Sequence, residues 1–393
     1  MSGRNSKTFL RTAAVCAALV ALSSGAEADR RFHLLYTFQK SDGAHPVAAP
    51  VLDADGNLYG TARYGGSLNS GVVYKLAPDG SQTVLADFHG KKSGRYPDAP
   101  VWRDASGNLF GTTSVTTRRL PYGTVFEIGQ SGQQQVLHRF SQNDPAGYDP
   151  EGGVIGDGQG NLYGTTTSGG AKQGGTVFTL APNGKMTVLH AFDANSGDAS
   201  APWGSLVMDA GANLYGISER GGAYGSGALF KIAPDGTESV LYSFGGDPGT
   251  GYAPTGVLID AAGNFIVSTN GGGAWSAGVI DKITPDGTLT VLHAFNSPTD
   301  GALPNGAMVA DTKGNFYGTT NSGGGPSNFG TVFELSPGGR FHVLHAFGAH
   351  DRSTRKGVKP QAGLAIDAAG NLYGTTSLSG PPGYGTVFEI DAK

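Results

Sequence analysis

The sequence predicts an all-β fold, a seven-bladed β-propeller of four-stranded antiparallel blades, and three observations predict it. A seven-residue phrase returns seven times at near-constant spacing, each copy lies in a unit that reads as four short strands, and the two chain ends are complementary parts of one unit. The phrase is "GNLYGTA" from Gly56, "GNLFGTT" from Gly107, "GNLYGTT" from Gly160, "ANLYGIS" from Ala212, "GNFIVST" from Gly263, "GNFYGTT" from Gly314 and "GNLYGTT" from Gly370. Its asparagines (Asn57, Asn108, Asn161, Asn213, Asn264, Asn315 and Asn371) follow one another at 51, 53, 52, 51, 51 and 56 residues, the length of one blade.

The third unit shows the strands in order. "EGGVIGDGQG" is a short apolar run ending in a turn, and "NLYGTTTSGG" alternates and ends in glycines. "GTVFTLAPNG" is β-branched and aromatic up to Pro-Asn-Gly, and "KMTVLHAF" closes the unit. The fourth-strand phenylalanines keep the same beat at Phe38, Phe88, Phe140, Phe192, Phe244, Phe295 and Phe347. Asp-x-x-Gly-Asn, as in Asp260–Asn264 and Asp367–Asn371, suits a tight turn between first and second strands. Pro-Asp-Gly (78–80, 234–236, 285–287) does the same between third and fourth. Leu-Tyr and Val-Phe supply large groups for packing between blades, with the glycine after Tyr leaving them room.

The ends predict closure. After the first residues the chain opens on "RFHLLYTF", a fourth strand without its first three, and finishes on "GTVFEIDAK", a third without its fourth. Pairing them completes the C-terminal blade with the N-terminal strand, whereas an open stack of repeats would want polar caps.

Residues 1–28 read as a secretory leader: Arg4, Lys7 and Arg11, then "TAAVCAALVAL", then Ala26-Glu27-Ala28, with cleavage expected before Asp29. A single propeller domain is expected over 29–393, secreted or periplasmic and monomeric. The leader holds the one cysteine, Cys16, so the exported part must be held by its core and closed topology instead of disulfides. Without the leader it carries 24 basic against 30 acidic residues and no basic block, which excludes nucleic acid as a partner. No later apolar run is long enough to span a bilayer.

The phrases "GNLYGTT", "GTVFEL" and "TVLHAF" resemble the GloVer-type (choice-of-anchor) tandem repeat of exported bacterial proteins, over essentially all of 31–393. The resemblance implies a propeller-like scaffold and no particular reaction. This chain ends at Lys393, directly after the repeats, so free export is expected here instead of surface anchorage.

The connections between second and third strands and between blades are long and differ each time, so one face is expected to carry function. On it the candidate ligand-binding residues are Arg63, Tyr64, Arg119, Tyr122, Trp203, Arg220, Tyr224, Trp275 and Tyr384. Aromatic rings among small polar groups suit sugars, whose apolar faces stack while their hydroxyls hydrogen-bond. His138, His190, His293 and His345 share a fourth-strand position with Tyr36 and Tyr242, which reads as packing, and no metal or cofactor is expected. HExxH and GxSxG are absent, and the first strands, expected to line the channel, are rich in Gly, Ala, Val and Leu. The expectation is a scaffold that binds a carbohydrate or another envelope component without catalysis. A propeller hydrolase, lactonase or lyase with its site at the channel mouth is the alternative, and a protein–protein platform the third. The fifth unit is irregular, since "GNFIVST" lacks Tyr-Gly and "GVIDKI" puts Asp281 where other units have Tyr or Phe.

Overall fold

The computed structural model describes residues 30–90, 92–114, 122–348, 357–378 and 383–392. The leader, Arg119 and residues 349–356 of the charged insertion lie outside these. Seven four-stranded antiparallel sheets form the ring. Blades 1 to 6 span 51–87, 102–139, 155–193, 199–243, 251–294 and 302–346. Blade 7 combines three strands from 365–390 with Phe32–Thr37, which pairs antiparallel to Thr386–Ile390 and closes the circle as the chain ends predict.

The core sits between blades. One apolar cluster joins Tyr59, Val73 and Phe88 of blade 1 to Leu109, Phe126 and Ile128 of blade 2, and similar clusters occupy the other joints. The seven repeat phenylalanines are all buried. The glycine of the phrase has a steric cause: a Cβ on Gly164 would stand 2.6 Å from the ring of Phe178, and Gly374 repeats this against Phe388 at 2.4 Å.

Each remaining letter has a bond to make. Asp260 Oδ1 accepts the backbone N–H groups of Ala262 and Asn264 at 2.9 and 2.8 Å, and Asn264 Nδ2 donates back to Oδ2 at 2.8 Å. The tyrosine does more than pack, because Tyr59, Tyr163, Tyr215, Tyr317 and Tyr373 donate their hydroxyls to the turn aspartates of their own blades. The first threonine reaches the segment leading into the next blade's inner strand, Thr61 to Ala99 O at 3.1 Å and Thr112 to Gly152 O at 2.9 Å. The second pairs within its blade, as Thr113 with Thr124 at 2.8 Å. The phrase is therefore turn, core and inter-blade tie.

Asp260→Ala removes the acceptor for two backbone donors and is expected to cost about 1–3 kcal/mol, seen as a lower thermal midpoint. Burial raises Asp260, but the hydrogen bonds from Asn264 and Ala262 outweigh it and hold the carboxyl below its ordinary value. The stability this group contributes is therefore present above pH ~3.8 and fades as acid protonates the turn. A variant as stable as the parent at pH 7 would contradict the assignment.

Candidate functional site

Long loops share one face, where the blade-to-blade and second-to-third connections pair as Ala44 with Tyr64, Tyr148 with Ser168 and Val358 with Leu378. A common joint holds that face. Where the chain enters each blade, in the connecting loop or at the start of the first strand, a proline (Pro46, Pro97, Pro150, Pro202, Pro254, Pro304, Pro360) follows a residue at positive φ: His45, Tyr96, Asp149, Ala201, Ala253, Leu303 or Lys359, at 51–59°. Non-glycine residues rarely adopt this conformation and keep it only where surroundings enforce it. The enforcement comes from the preceding blade. His45 N–H donates to Tyr384 O and Tyr96 N–H to Ser70 O, both at 2.8 Å, and four more joints repeat the bond. The proline ring then lies on a glycine at positive φ, as Pro97 on Gly71, where any Cβ would come within 2.4 Å of it.

The residue after that proline enters the channel. Val47, Asp98, Glu151, Trp203, Thr255, Asn305 and Gln361 all line one cavity of about 380 Å³ at the centre of the ring, a volume within the range of small-molecule sites. Seven copies of one backbone position thus carry six different polar or aromatic side chains and one valine. Arg63 joins the same lining. An adjoining cavity of about 350 Å³ shares Glu151 and Trp203 and adds Glu219, Arg220 and Ser168.

The two acids sit in unusual surroundings. Asp98 accepts a hydrogen bond from Ser114 Oγ at 2.6 Å and faces Arg63 Nε at 3.6 Å. Burial nevertheless outweighs both and pushes its carboxyl up to about 6. Burial, with the negative field of Asp98, pushes Glu151 up to about 7 against the opposing pull of Arg63. The mouth therefore sets two acids with raised carboxyl pKa values and a guanidinium within one cavity.

The structure sorts the sequence candidates into three groups. Arg63, Trp203 and Arg220 line the two cavities. Tyr224 and Trp275 stand on the same face at 61 and 58% exposure, and Tyr252 joins them at 45%, so the loops of blades 4 and 5 carry an open aromatic shelf. Tyr64, Tyr122 and Tyr384 are instead packing residues. Tyr64 meets His45 and Tyr96 edge-on at 5.5 and 5.1 Å, Tyr122 leans on Tyr148, and Tyr384 packs against the cluster around Phe38. Arg119 falls outside the described residues. Sequence reading missed Asp98, Glu151 and Gln361, which belong to the segments just ahead of the first strands, and Asn305, which lies within the first strand of blade 6. Aligning the seven loops on their prolines would have found all four. Among the described residues one group could hold a metal, His190, Asp198 and Glu238, and it lines neither cavity.

A closed ring of near-identical four-stranded blades defines a class, the tandem-repeat β-propellers. The sequence profile of the Gloeobacter/Verrucomicrobia repeat matches residues 21–212 and 194–388, and the chain belongs to that family. No curated protein matches it. Among solved structures, the extracellular domain of the hybrid two-component system BT3049 of B. thetaiotaomicron is 15% identical with a TM-score of 0.57, over 93% of this chain and 41% of that one. The extracellular domain of the one-component system BT4673 of the same organism is 12% identical, TM-score 0.55, over 92% of this chain and 40% of that one. This chain thus spans under half the length of either, and the likeness concerns the fold. A gluconolactonase from Xanthomonas campestris is 13% identical, TM-score 0.44, over 89 and 98%.

Proposed function

We propose that the protein is exported and binds a carbohydrate, or a saccharide part of the cell envelope, at the channel mouth without transforming it. The mouth ring carries this reading. A scaffold needs no variation at seven equivalent positions, yet there the chain sets Asp, Glu, Trp, Thr, Asn and Gln around one cavity. Such a set offers a ring to stack on a sugar face and donors and acceptors for its hydroxyls. The open aromatics Tyr224, Tyr252 and Trp275 extend the same chemistry outward, as a longer chain of sugars requires. Export rests on the leader-like residues 1–28, and no helix among the described residues is long and apolar enough to cross a membrane.

Retention on a panel of glycans and polysaccharides tests the reading. Trp203→Ala is expected to weaken binding at least about tenfold, roughly 1.4 kcal/mol, with little change in folding because the ring is 39% exposed. Tyr64→Ala should do the reverse, lowering stability while sparing affinity. Equal retention by parent and Trp203→Ala would remove the mouth from consideration.

A second reading has its own observation. Two carboxyls displaced to about 6 and about 7 share one cavity, the equipment of general acid–base chemistry. New reducing ends or opened lactones, lost in Glu151→Gln while retention persists, would replace binding by turnover. Neither retention nor turnover would point to a protein partner.

A further inference from the structure

The outer rim between blades 3 and 4 departs from every other joint. On each blade's outer strand, the position paired with the third strand's Val177-type residue holds His138, His190, His293, His345, Tyr36, Tyr242 or Ala86. The rings at His138 and His293 bond a loop aspartate, Asp144 at 2.8 Å and Asp300 at 3.0 Å. The first residue of the next blade's outer strand then covers the ring, as Phe341 stacks flat on His293 at 3.8 Å and Phe32 on His345 at 4.2 Å. That covering position holds Phe32, Gln82, Gln134, Met186, Leu289 and Phe341 in six blades. In blade 4 it holds Glu238.

The substitution leaves polar atoms unanswered. His190 Nε2 stands 3.6 Å from Asp198 Oδ2, well beyond the contacts in the sister joints. His190 Nε2, Asp198 Oδ1 and Glu238 Oε1 are each shielded from solvent without a hydrogen-bond partner. Asp198 and Glu238 lie within hydrogen-bonding reach of each other, so a shared proton joins the two carboxyls when no cation lies between them, while the imidazole nitrogen beside them keeps no hydrogen bond. One donor atom from each residue falls within 4.8 Å of the others. Lys172, the neighbouring cation, is exposed, and its charge only partly opposes the effect of Asp198 on Glu238.

We propose that His190, Asp198 and Glu238 bind a divalent first-row transition metal, Zn²⁺ fitting best, that clips blade 3 to blade 4. An imidazole with two carboxylates is a three-ligand set suited to Zn²⁺ with water in the fourth place. Ca²⁺ takes six or more oxygens and seldom an imidazole, so it fits poorly. Ligand atoms on a tetrahedral ion with bonds of about 2.1 Å lie roughly 3.4 Å apart. The present spread therefore closes with movement of about an ångström, within reach of a glutamate side chain.

Zn²⁺ titration of the chelator-stripped, tag-free protein by calorimetry tests the site, with Co²⁺ as a visible-absorption probe of the imidazole–carboxylate environment. One equivalent should bind and raise the thermal midpoint. His190→Tyr and Glu238→Leu use residues the repeat itself places at these positions, so both should fold. Each should weaken Zn²⁺ at least 100-fold and lose the metal-dependent midpoint shift. A parent protein without saturable one-to-one binding, or two folded variants that bind as the parent does, would overturn the assignment.

Discussion

Removing residues 30–38 is expected to abolish cooperative unfolding and drive the chain into self-association. This short segment ties three blades together. Phe32 stacks on Phe388 of blade 7 at 5.5 Å and on His345 of blade 6 at 4.2 Å. Phe38, fully buried, meets Tyr74 of blade 1 edge-on at 4.9 Å. Arg30 Nη2 donates to the Tyr317 hydroxyl at 3.1 Å and faces Glu334 at 3.7 Å. Burying Phe38 contributes about 1.5–3 kcal/mol and the half-buried Phe32 a part of that, before counting the ladder to Thr386–Ile390. That is a large share of the roughly 5–15 kcal/mol by which a domain is stable. The deletion also bares Thr386–Ile390 as an unpaired edge, which recruits other chains. Size-exclusion chromatography and a thermal melt of the truncated chain check the result, and a synthetic 30–38 peptide should restore the transition. A truncated protein that stays monodisperse and melts at the parent midpoint would show that closure is dispensable.

Asp281→Asn is expected to stabilise the protein, increasingly so as pH rises from 4 to 8. Asp281 is fully buried on the third strand of blade 5, where the other blades hold Tyr74, Phe126, Phe178, Phe230, Phe333 or Phe388. Its Oδ2 accepts only a 3.3 Å bond from Gly251 N–H, and Oδ1 has no partner. Burial pushes its carboxyl from 3.8 up to about 7, against the small opposing effect of the Gly251 bond. The folded state therefore holds the proton more tightly than the unfolded chain. Its contribution is whole below pH ~3.8, declines through the interval, and is lost above about 7, a span worth up to about 4 kcal/mol. Asparagine keeps the Gly251 bond without ionising, so the two melting profiles should meet near pH 4 and diverge above it. Parallel profiles across that range would mean that Asp281 stays charged or is rescued by a partner. The repeat explains the anomaly's shape: Val267 stands where the partner glycine would be, and the smaller Asp281 replaces the ring that would lie on it.

The fold was legible in the sequence because each blade writes its own turns. Asp260-x-x-x-Asn264 and its six relatives are local structures, so their spacing counted the blades and the split ends closed the ring. That the long, irregular loops share one face was legible too, since loop irregularity is itself a local property. The individual site residues were not, for two physical reasons. Whether a ring is open or packed depends on what a different loop places beside it: Tyr64 is covered by Tyr96 of the next blade, whereas Tyr224 has only Gly246 beneath it. The segments "TGVLID", "NGAMVAD" and "AGLAID" do line the channel, but Asp98 and Glu151 flank the first strands instead of lying in them, so a reading confined to those strands saw the small apolar lining and missed the acids. The rim group at Glu238 depends on contact between outer strands of separate blades, which no single unit can reveal.

The joint that holds each mouth residue is made of main-chain hydrogen bonds, a proline ring and a glycine, none of which depends on the side chain displayed next. Thr255 is an exception, being tied to Pro304 O at 3.0 Å and to Ser268. Asp98 is another, holding Ser114 at 2.6 Å and facing Arg63 at 3.6 Å, whereas at the other five positions the occupant can change with the main-chain joint intact. On the proposed reading, specificity is consequently separable from foldability, since single substitutions change the mouth on an unchanged frame. A library randomised at Val47, Glu151, Trp203, Asn305 and Gln361 is expected to consist almost entirely of folded proteins.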